Sequence, residues 1–98
     1  MNKIPGTRVG AILGTNDKKE CDFLGYGVYI GDEIPPEEIG GWLNIGLPNP
    51  KIQLDNGDIV WGMECWWGTE EKIKEVISLQ SKVNIVSIAD AREKRSND

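Results

Sequence analysis

Apolar and polar residues alternate in several separate parts of this chain. A period of two is typical of β-strands that bury one face. The alternating segments are residues 7–14, residues 23–30, residues 51–54 with 59–67, and residues 82–88. The pattern therefore predicts a domain built mainly from strands.

Local signals between these segments predict a hairpin and a helix. Residues 55–57 read Asp-Asn-Gly, a sequence that accepts the backbone of a tight hairpin turn. Thr69 precedes two glutamates, as an N-cap precedes the acidic first turn of a helix. Apolar residues then recur at helical spacing from residue 70 to about residue 79. Residues 89–98 are polar and are expected to form a frayed tail.

Together these elements predict an α+β fold: a strongly twisted antiparallel sheet or small open barrel with one packed helix. The whole chain, residues 1–98, is expected to form a single domain with an ordered core at about residues 7–88. Prolines and glycines between residues 31 and 50 disfavour helix and interior strand. We expect a long ordered loop there, which carries Trp42. Long ordered loops in small domains are often functional.

Composition narrows the function classes. The net charge is −5 and the pI is near 4.7, which argues against binding to duplex nucleic acid. A small anionic ligand needs only one or two cations in its site. No apolar run is long enough for a secretion signal or a membrane span, so a cytosolic protein is expected. A chain of 98 residues buries limited surface alone, so we expect a homo-oligomer, a dimer or larger.

The residue types needed for common enzyme mechanisms are missing. The chain has no histidine, which removes the most frequent general base and metal ligand. Cys21 and Cys65 stand far apart without other ligand residues near them, so no zinc pattern exists. We expect reduced thiols, no metal, no cofactor and no catalytic activity.

Aligning the predicted strands by their core faces leaves a second face of unusual composition, called the glycine-rich face below. Glycines inside strands often mark the close approach of a ligand or another backbone. Tryptophan and tyrosine on the same face offer planes for stacking, and its charged residues offer ion pairs. This face contains Arg8, Gly10, Gly14, Gly25, Gly27, Tyr29, Lys51, Gln53, Gly62, Glu64 and Trp66.

These residue types fit a nucleotide site. Trp66 or Tyr29 would stack on a base, and Arg8 and Lys51 would meet phosphate. Glu64 would accept a hydrogen bond from a guanine edge. Trp42 would close over the ligand from the long loop.

A purely structural interpretation of the same face carries about equal weight. The glycines would then serve the curvature of a small barrel, and Trp66 would cover a helix or a second subunit. Trp61 and Trp67 are expected in the core in either case.

The segments TRVGAILG, LGYGVYIGDEIPP and NPKIQLDNGDIVWGMECWWGTEE, in this order, resemble a family of small proteins common in bacteriophage genomes. The resemblance covers roughly residues 7–71. It implies kinship with sponge proteins that sequester the cyclic oligonucleotide signals of bacterial CBASS immunity, cyclic GMP-AMP foremost. Tight binding of a cyclic dinucleotide without hydrolysis, by a homo-oligomer in the host cytoplasm, is what the resemblance implies.

Two other classes of function stay open. One is a protein–protein inhibitor of a host enzyme that uses Trp42 and Trp66 as hot spots. The other is a small regulatory domain without a small-molecule ligand. Stabilisation of the protein by cyclic nucleotides would separate the sponge from both.

Overall fold

Six strands and three helices follow one another in the computed structural model, which describes residues 4–40 and 46–97. The sheet is twisted, open and mostly antiparallel, so the predicted α+β class is confirmed. The elements are β1 (Arg8–Thr15), β2 (Glu20–Glu33), α1 (Glu37–Gly40), β3 (Asn49–Leu54), β4 (Ile59–Trp61), a 3₁₀ turn (Gly62–Glu64), β5 (Trp66–Thr69), α2 (Glu70–Ser78), β6 (Lys82–Ile85) and α3 (Ile88–Asn97).

The long strand β2 organises the sheet, whose order is β4-β3-β2-β1-β5. On one side, β2 pairs with β1. On its other side, the C-terminal half of β2 pairs with β3, and its N-terminal half pairs in parallel with β6. Strand β5 pairs with β1 and ends the order, so Trp66 and Trp67 lie on a terminal strand.

A β-bulge in β2 changes which side chains face the core. Ala11 pairs with Gly25, but its neighbour Ile12 pairs with Phe23, so Leu24 is an extra residue. Gly25 has a φ of +142°, a conformation that L side chains rarely adopt. One extra residue shifts the alternation of all later side chains to the opposite face.

Apolar residues pack on both sides of the sheet. The larger cluster is closed at one end by Ile88 of α3. On the other side, Ile73 of α2 packs against Ile12 and Cys21. The buried members of the larger cluster are Val9, Ala11, Leu24, Tyr29, Ile52, Leu54, Val60 and Ile88.

The hairpin turn and helix α2 form where the sequence predicts them. Gly57 has a φ of +96°, and its N–H donates to the Leu54 carbonyl at 2.9 Å. The Lys72 N–H donates to the Thr69 hydroxyl at 3.3 Å, so Thr69 caps α2 as expected. Trp61 is 3 % exposed, in agreement with its predicted core position.

The predicted frayed tail is wrong, because residues 88–97 form helix α3. The Ser87 hydroxyl accepts hydrogen bonds from the Ala89 and Asp90 N–H groups at 3.1 and 3.3 Å, as an N-cap does. Farther along, Arg92 reaches Glu64 in the 3₁₀ turn. The chain therefore has more helix than the one predicted, and β6 ends at Ile85 instead of residue 88.

Helix α1, Glu37–Gly40, interrupts the predicted long loop, and β3 begins within it at Asn49. Trp42 lies outside the residues that the structure describes. Within the described ranges, no helix is long and apolar enough to cross a membrane.

Candidate functional site

Trp66 borders an open groove between the terminal strand of the sheet and helix α2. The indole-bearing side chain is 72 % exposed, the largest aromatic exposure among the described residues. We call this cavity of about 550 Å³ the Trp66 groove. Its size lies in the range of small-molecule sites, roughly 300–1,000 Å³. Alongside Trp66, the groove is lined by Ile12, Gly14, Thr15, Gly68, Lys72 and Ile73.

The strand alternation explains why Trp66 faces outward. Its neighbour Trp67 points to the core and stacks on Tyr29, with ring centroids 5.6 Å apart and planes 14° apart. Successive side chains on a strand point to opposite faces. Trp66 therefore lies on the face of its partner Ile12, beside α2.

Lys72 is the charged residue among those that line the Trp66 groove. It stands in the first turn of α2, and its side chain is exposed. In a protein of net charge −5, a groove lined by a lysine and, among the described residues, by no carboxylate is locally favourable to anions.

Two glycines of the groove have no packing role in the described structure. A Cβ added at Gly14 would meet no atom within 4 Å. A Cβ added at Gly68 would lie 4.0 Å from Ile73 Cδ1, an ordinary contact. Neither residue has a positive φ. Their missing side chains leave backbone open to whatever enters the groove.

Other glycines of the predicted glycine-rich face are explained by the fold itself. A Cβ at Gly10 would lie 2.8 Å from Ile73 of α2, and one at Gly27 would lie 2.7 Å from the Leu54 backbone. A Cβ at Gly62 would lie 2.8 Å from Pro50. These glycines let neighbouring elements approach closely, so the structural interpretation holds for them.

Tyr29 lies in the core and not on the predicted face. Its side chain is 7 % exposed, and its hydroxyl donates to Asp32 Oδ1 at 2.5 Å. This hydrogen bond, together with burial, raises the pKa of Tyr29. The bulge at Gly25 is the reason for the error, because a strict period of two carried through it assigns Tyr29 to the wrong side.

Arg8 is engaged by two carboxylates away from the groove. Its guanidinium donates to both oxygens of Asp55 at 2.7 and 2.8 Å and to Glu70 Oε2 at 3.0 Å. These hydrogen bonds raise the pKa of Arg8 and hold the pKa values of Asp55 and Glu70 below their ordinary range. Arg8 thus connects the start of β1 to the hairpin turn and to α2. Arg8 does not line the Trp66 groove, so the groove does not offer Arg8 for the predicted contact with phosphate.

Glu64 forms a partly buried ion pair with Arg92. The Glu64 side chain is 1 % exposed and the Arg92 side chain is 25 % exposed. Arg92 donates to both carboxylate oxygens at 2.8 Å. The Trp61 N–H also donates to Glu64 Oε1, at 3.1 Å. Arg92 has a pKa raised by these hydrogen bonds to Glu64. Glu64 holds α3 against the 3₁₀ turn. Protein N–H groups already donate to both of its carboxylate oxygens, so few acceptor positions remain for a guanine edge.

Lys51 also has partners within the fold. Its Nζ lies 3.4 Å from Glu33 Oε1 and 5.8 Å from the centroid of the Trp61 ring. The structure therefore does not assemble the predicted set at one surface. Of the six predicted residues, only Trp66 lines the groove beside α2. Glu64 lines a different cavity that Trp66 also borders, whereas Arg8, Tyr29 and Lys51 are held elsewhere. Trp42 lies outside the described residues.

Lys72, Gly68 and Thr15 line the groove but were not among the predicted site residues. The sequence places Lys72 in the first turn of the predicted helix, with no signal that it faces a groove. A useful signal for Gly68 was present, because it stands two positions after Trp66 and therefore on the same strand face. The position of α2 over β1 could not be read from the strand pattern alone.

Within the described ranges, no group of histidine, cysteine, aspartate and glutamate side chains could hold a metal ion. Comparisons with protein-family models, with curated proteins and with solved structures found no match for this chain.

Proposed function

We propose that this protein binds a cyclic dinucleotide signal in the Trp66 groove and sequesters it without hydrolysis. The observation that carries the proposal is the exposed Trp66 side chain beside a cavity of about 550 Å³. An exposed indole is a wide apolar plane on which any nucleobase can stack.

The charge of the groove supports an anionic ligand. Lys72 would meet a phosphate of the ligand as a flexible cation, the role that sequence reasoning gave to Arg8 and Lys51. Within residues 4–40 and 46–97, no carboxylate lines this groove, so these residues offer no direct repulsion to phosphate there.

Gly14 and Gly68 support a flat ligand that approaches the strands closely. Both positions tolerate a Cβ in the protein itself, so the fold does not require glycine there. A ligand lying along the groove would use the space that two side chains would otherwise fill.

Sequestration without turnover fits the chemistry of the side chains. The chain has no histidine. Asp32 and Glu64 are the candidate carboxylates for acid–base catalysis. Asp32 accepts a hydrogen bond from the Tyr29 hydroxyl, and Glu64 forms an ion pair with Arg92. In keeping with the resemblance to phage proteins, we place the protein in the cytoplasm of an infected host, where it would lower the free concentration of an immune signal.

Thermal unfolding in the presence of cyclic nucleotides tests the proposal. A ligand at about 100 times its Kd adds about 2.7 kcal/mol of stability. For a domain of this size, that raises Tm on the order of 10–20 °C. Cyclic GMP-AMP should produce such a shift, and Trp66→Ala should reduce it. Nucleotide recovered after denaturation should be intact. Linearised product in proportion to protein would contradict sequestration.

A protein–protein inhibitor is the second candidate, and the arrangement of apolar residues across the sheet favours it. Ile12 pairs with Trp66 and with Phe23, and Phe23 pairs with Ile85, so these side chains form one row. The two ends of the row, Trp66 and Ile85, are 72 % and 77 % exposed. Absence of a Tm shift with every cyclic nucleotide would favour this candidate.

A further inference from the structure

Trp66 borders a second cavity as well as the Trp66 groove. This hairpin depression, of about 520 Å³, lies against the 3₁₀ turn and is lined by Leu13, Gly62, Met63, Glu64 and Cys65 together with Trp66. Its volume is close to the 550 Å³ of the groove. The two cavities share Trp66 and Trp67 of β5 among their lining residues.

The chemistry of the two cavities differs. The Trp66 groove contains a lysine, a threonine hydroxyl and the open backbone at Gly14 and Gly68. The hairpin depression contains the thioether of Met63 and the thiol of Cys65, and the Glu64 carboxylate on its wall is held by Arg92. Burial raises the pKa of Cys65 to about 12, so the thiol is neutral near pH 7. The Trp66 groove is thus suited to a phosphate together with a base, and the hairpin depression is suited to a base alone.

We propose that the two cavities form one bipartite site, in which a ligand with two linked heterocycles places one in each and meets Trp66 with both. The inference rests on the proposed function and deepens it, because it states why a dinucleotide would be preferred. A mononucleotide would fill one cavity. A cyclic dinucleotide would fill both, and its phosphates would lie beside Lys72.

Filling one cavity at a time tests this arrangement. Gly14→Val adds a side chain at the Trp66 groove, where a Cβ has no neighbour within 4 Å. Met63→Trp adds bulk in the hairpin depression. Ile85→Trp is the matched control, because residue 85 is 77 % exposed and lines neither cavity. The probes are cyclic GMP-AMP and 3′,5′-cyclic AMP, and Kd is measured by calorimetry.

Each filled variant should bind cyclic GMP-AMP about 5- to 150-fold more weakly, the loss expected for one stacked base. Ile85→Trp should bind it like the wild type. Cyclic AMP, which has a single base, should be affected by only one of the two filling substitutions. The wild type should bind cyclic GMP-AMP at least about 5-fold more tightly than cyclic AMP.

The outcomes distinguish failure of the bipartite site from failure of the proposed function. If the wild type binds cyclic GMP-AMP but Met63→Trp binds it equally well, the bipartite site is overturned and the proposed function stands. If the wild type binds no cyclic dinucleotide, both are overturned. The ratio between the two probes needs no variant, so equal wild-type affinities for them would overturn the bipartite site even if Met63→Trp did not fold.

Discussion

Replacing Arg92 with alanine should destabilise the protein strongly, although Arg92 lies in a stretch that the sequence marks as a tail. In the native structure, the Glu64 side chain is 1 % exposed and Arg92 fills both of its oxygens at 2.8 Å. Arg92 also donates to the Ile59 carbonyl at 2.8 Å. After Arg92→Ala, the buried carboxylate keeps a donor in the Trp61 N–H but loses its counter-charge.

Removing one partner of a buried ion pair typically costs about 3–5 kcal/mol. This is a large part of the 5–15 kcal/mol that stabilises a typical domain. At about 4–8 °C per kcal/mol, Tm should fall on the order of 15–30 °C. The loss should be smaller in Arg92→Ala/Glu64→Gln, because the neutral amide is less costly to bury than an unpaired carboxylate.

Urea unfolding followed by circular dichroism measures these differences. The wild type, Arg92→Ala, Glu64→Gln and the double variant form a double-mutant cycle. Alkylation of Cys65 gives a second readout, because Cys65 follows Glu64 and burial keeps its thiol neutral, with a pKa of about 12. Its thiol should react faster in Arg92→Ala. A loss below about 1 kcal/mol, the usual value of an exposed pair, would refute the argument that the pair is buried and supports α3.

Three further predictions concern other parts of the fold. Gly14→Ala should raise the free energy of unfolding by about 0.5–1 kcal/mol, because no described atom lies within 4 Å of the new Cβ. Gly10→Ala should lower it by about 1–3 kcal/mol, because its Cβ would clash with Ile73 of α2. Equal urea midpoints for the two variants would contradict this expectation. Trp61→Ala should destabilise by about 3–5 kcal/mol through a core cavity, which chemical denaturation checks. Arg8→Gln should be less stable than the wild type at pH 7 and equally stable in strong acid. Arg8 lowers the pKa of Asp55 in the folded state. The ion pair therefore stabilises the fold above the ordinary pKa of Asp55, near pH 4, and this stabilisation is lost as pH falls through the lowered pKa. A stability difference independent of pH would contradict that reasoning.

Elements set by neighbouring residues were predictable from the sequence. The turn at residues 55–57 needs only a glycine with a positive φ, and α2 needs only Thr69 and an amphipathic stretch. The core positions of Val9 and Ala11 follow from alternation in the first part of β1, before its register shifts at Ile12. In each case the determining interactions span a few residues.

Features that depend on sheet register or on distant ion pairs were not predictable in this way. The bulge at Gly25 moved Tyr29 into the core, which a uniform period of two does not foresee. Arg8 and Asp55 are 47 positions apart, and Glu64 and Arg92 are 28 apart. Nothing local marks these pairs, yet they decide which charges remain available to a ligand. Charge and aromatic content alone therefore grouped residues that the structure holds in separate places.

The predicted homo-oligomer stays a prediction, and light scattering of the purified protein would test it. A monomer at micromolar concentration would contradict it.

Calorimetric titration of cyclic GMP-AMP into the wild type and Trp66→Ala tests the central claim most directly. We expect saturable binding to the wild type. Trp66→Ala should bind about 5- to 150-fold more weakly. Its Tm should stay close to that of the wild type, because the Trp66 side chain is 72 % exposed. No binding to the wild type, or equal affinity for the two proteins, would contradict the claim that Trp66 forms a cyclic dinucleotide site.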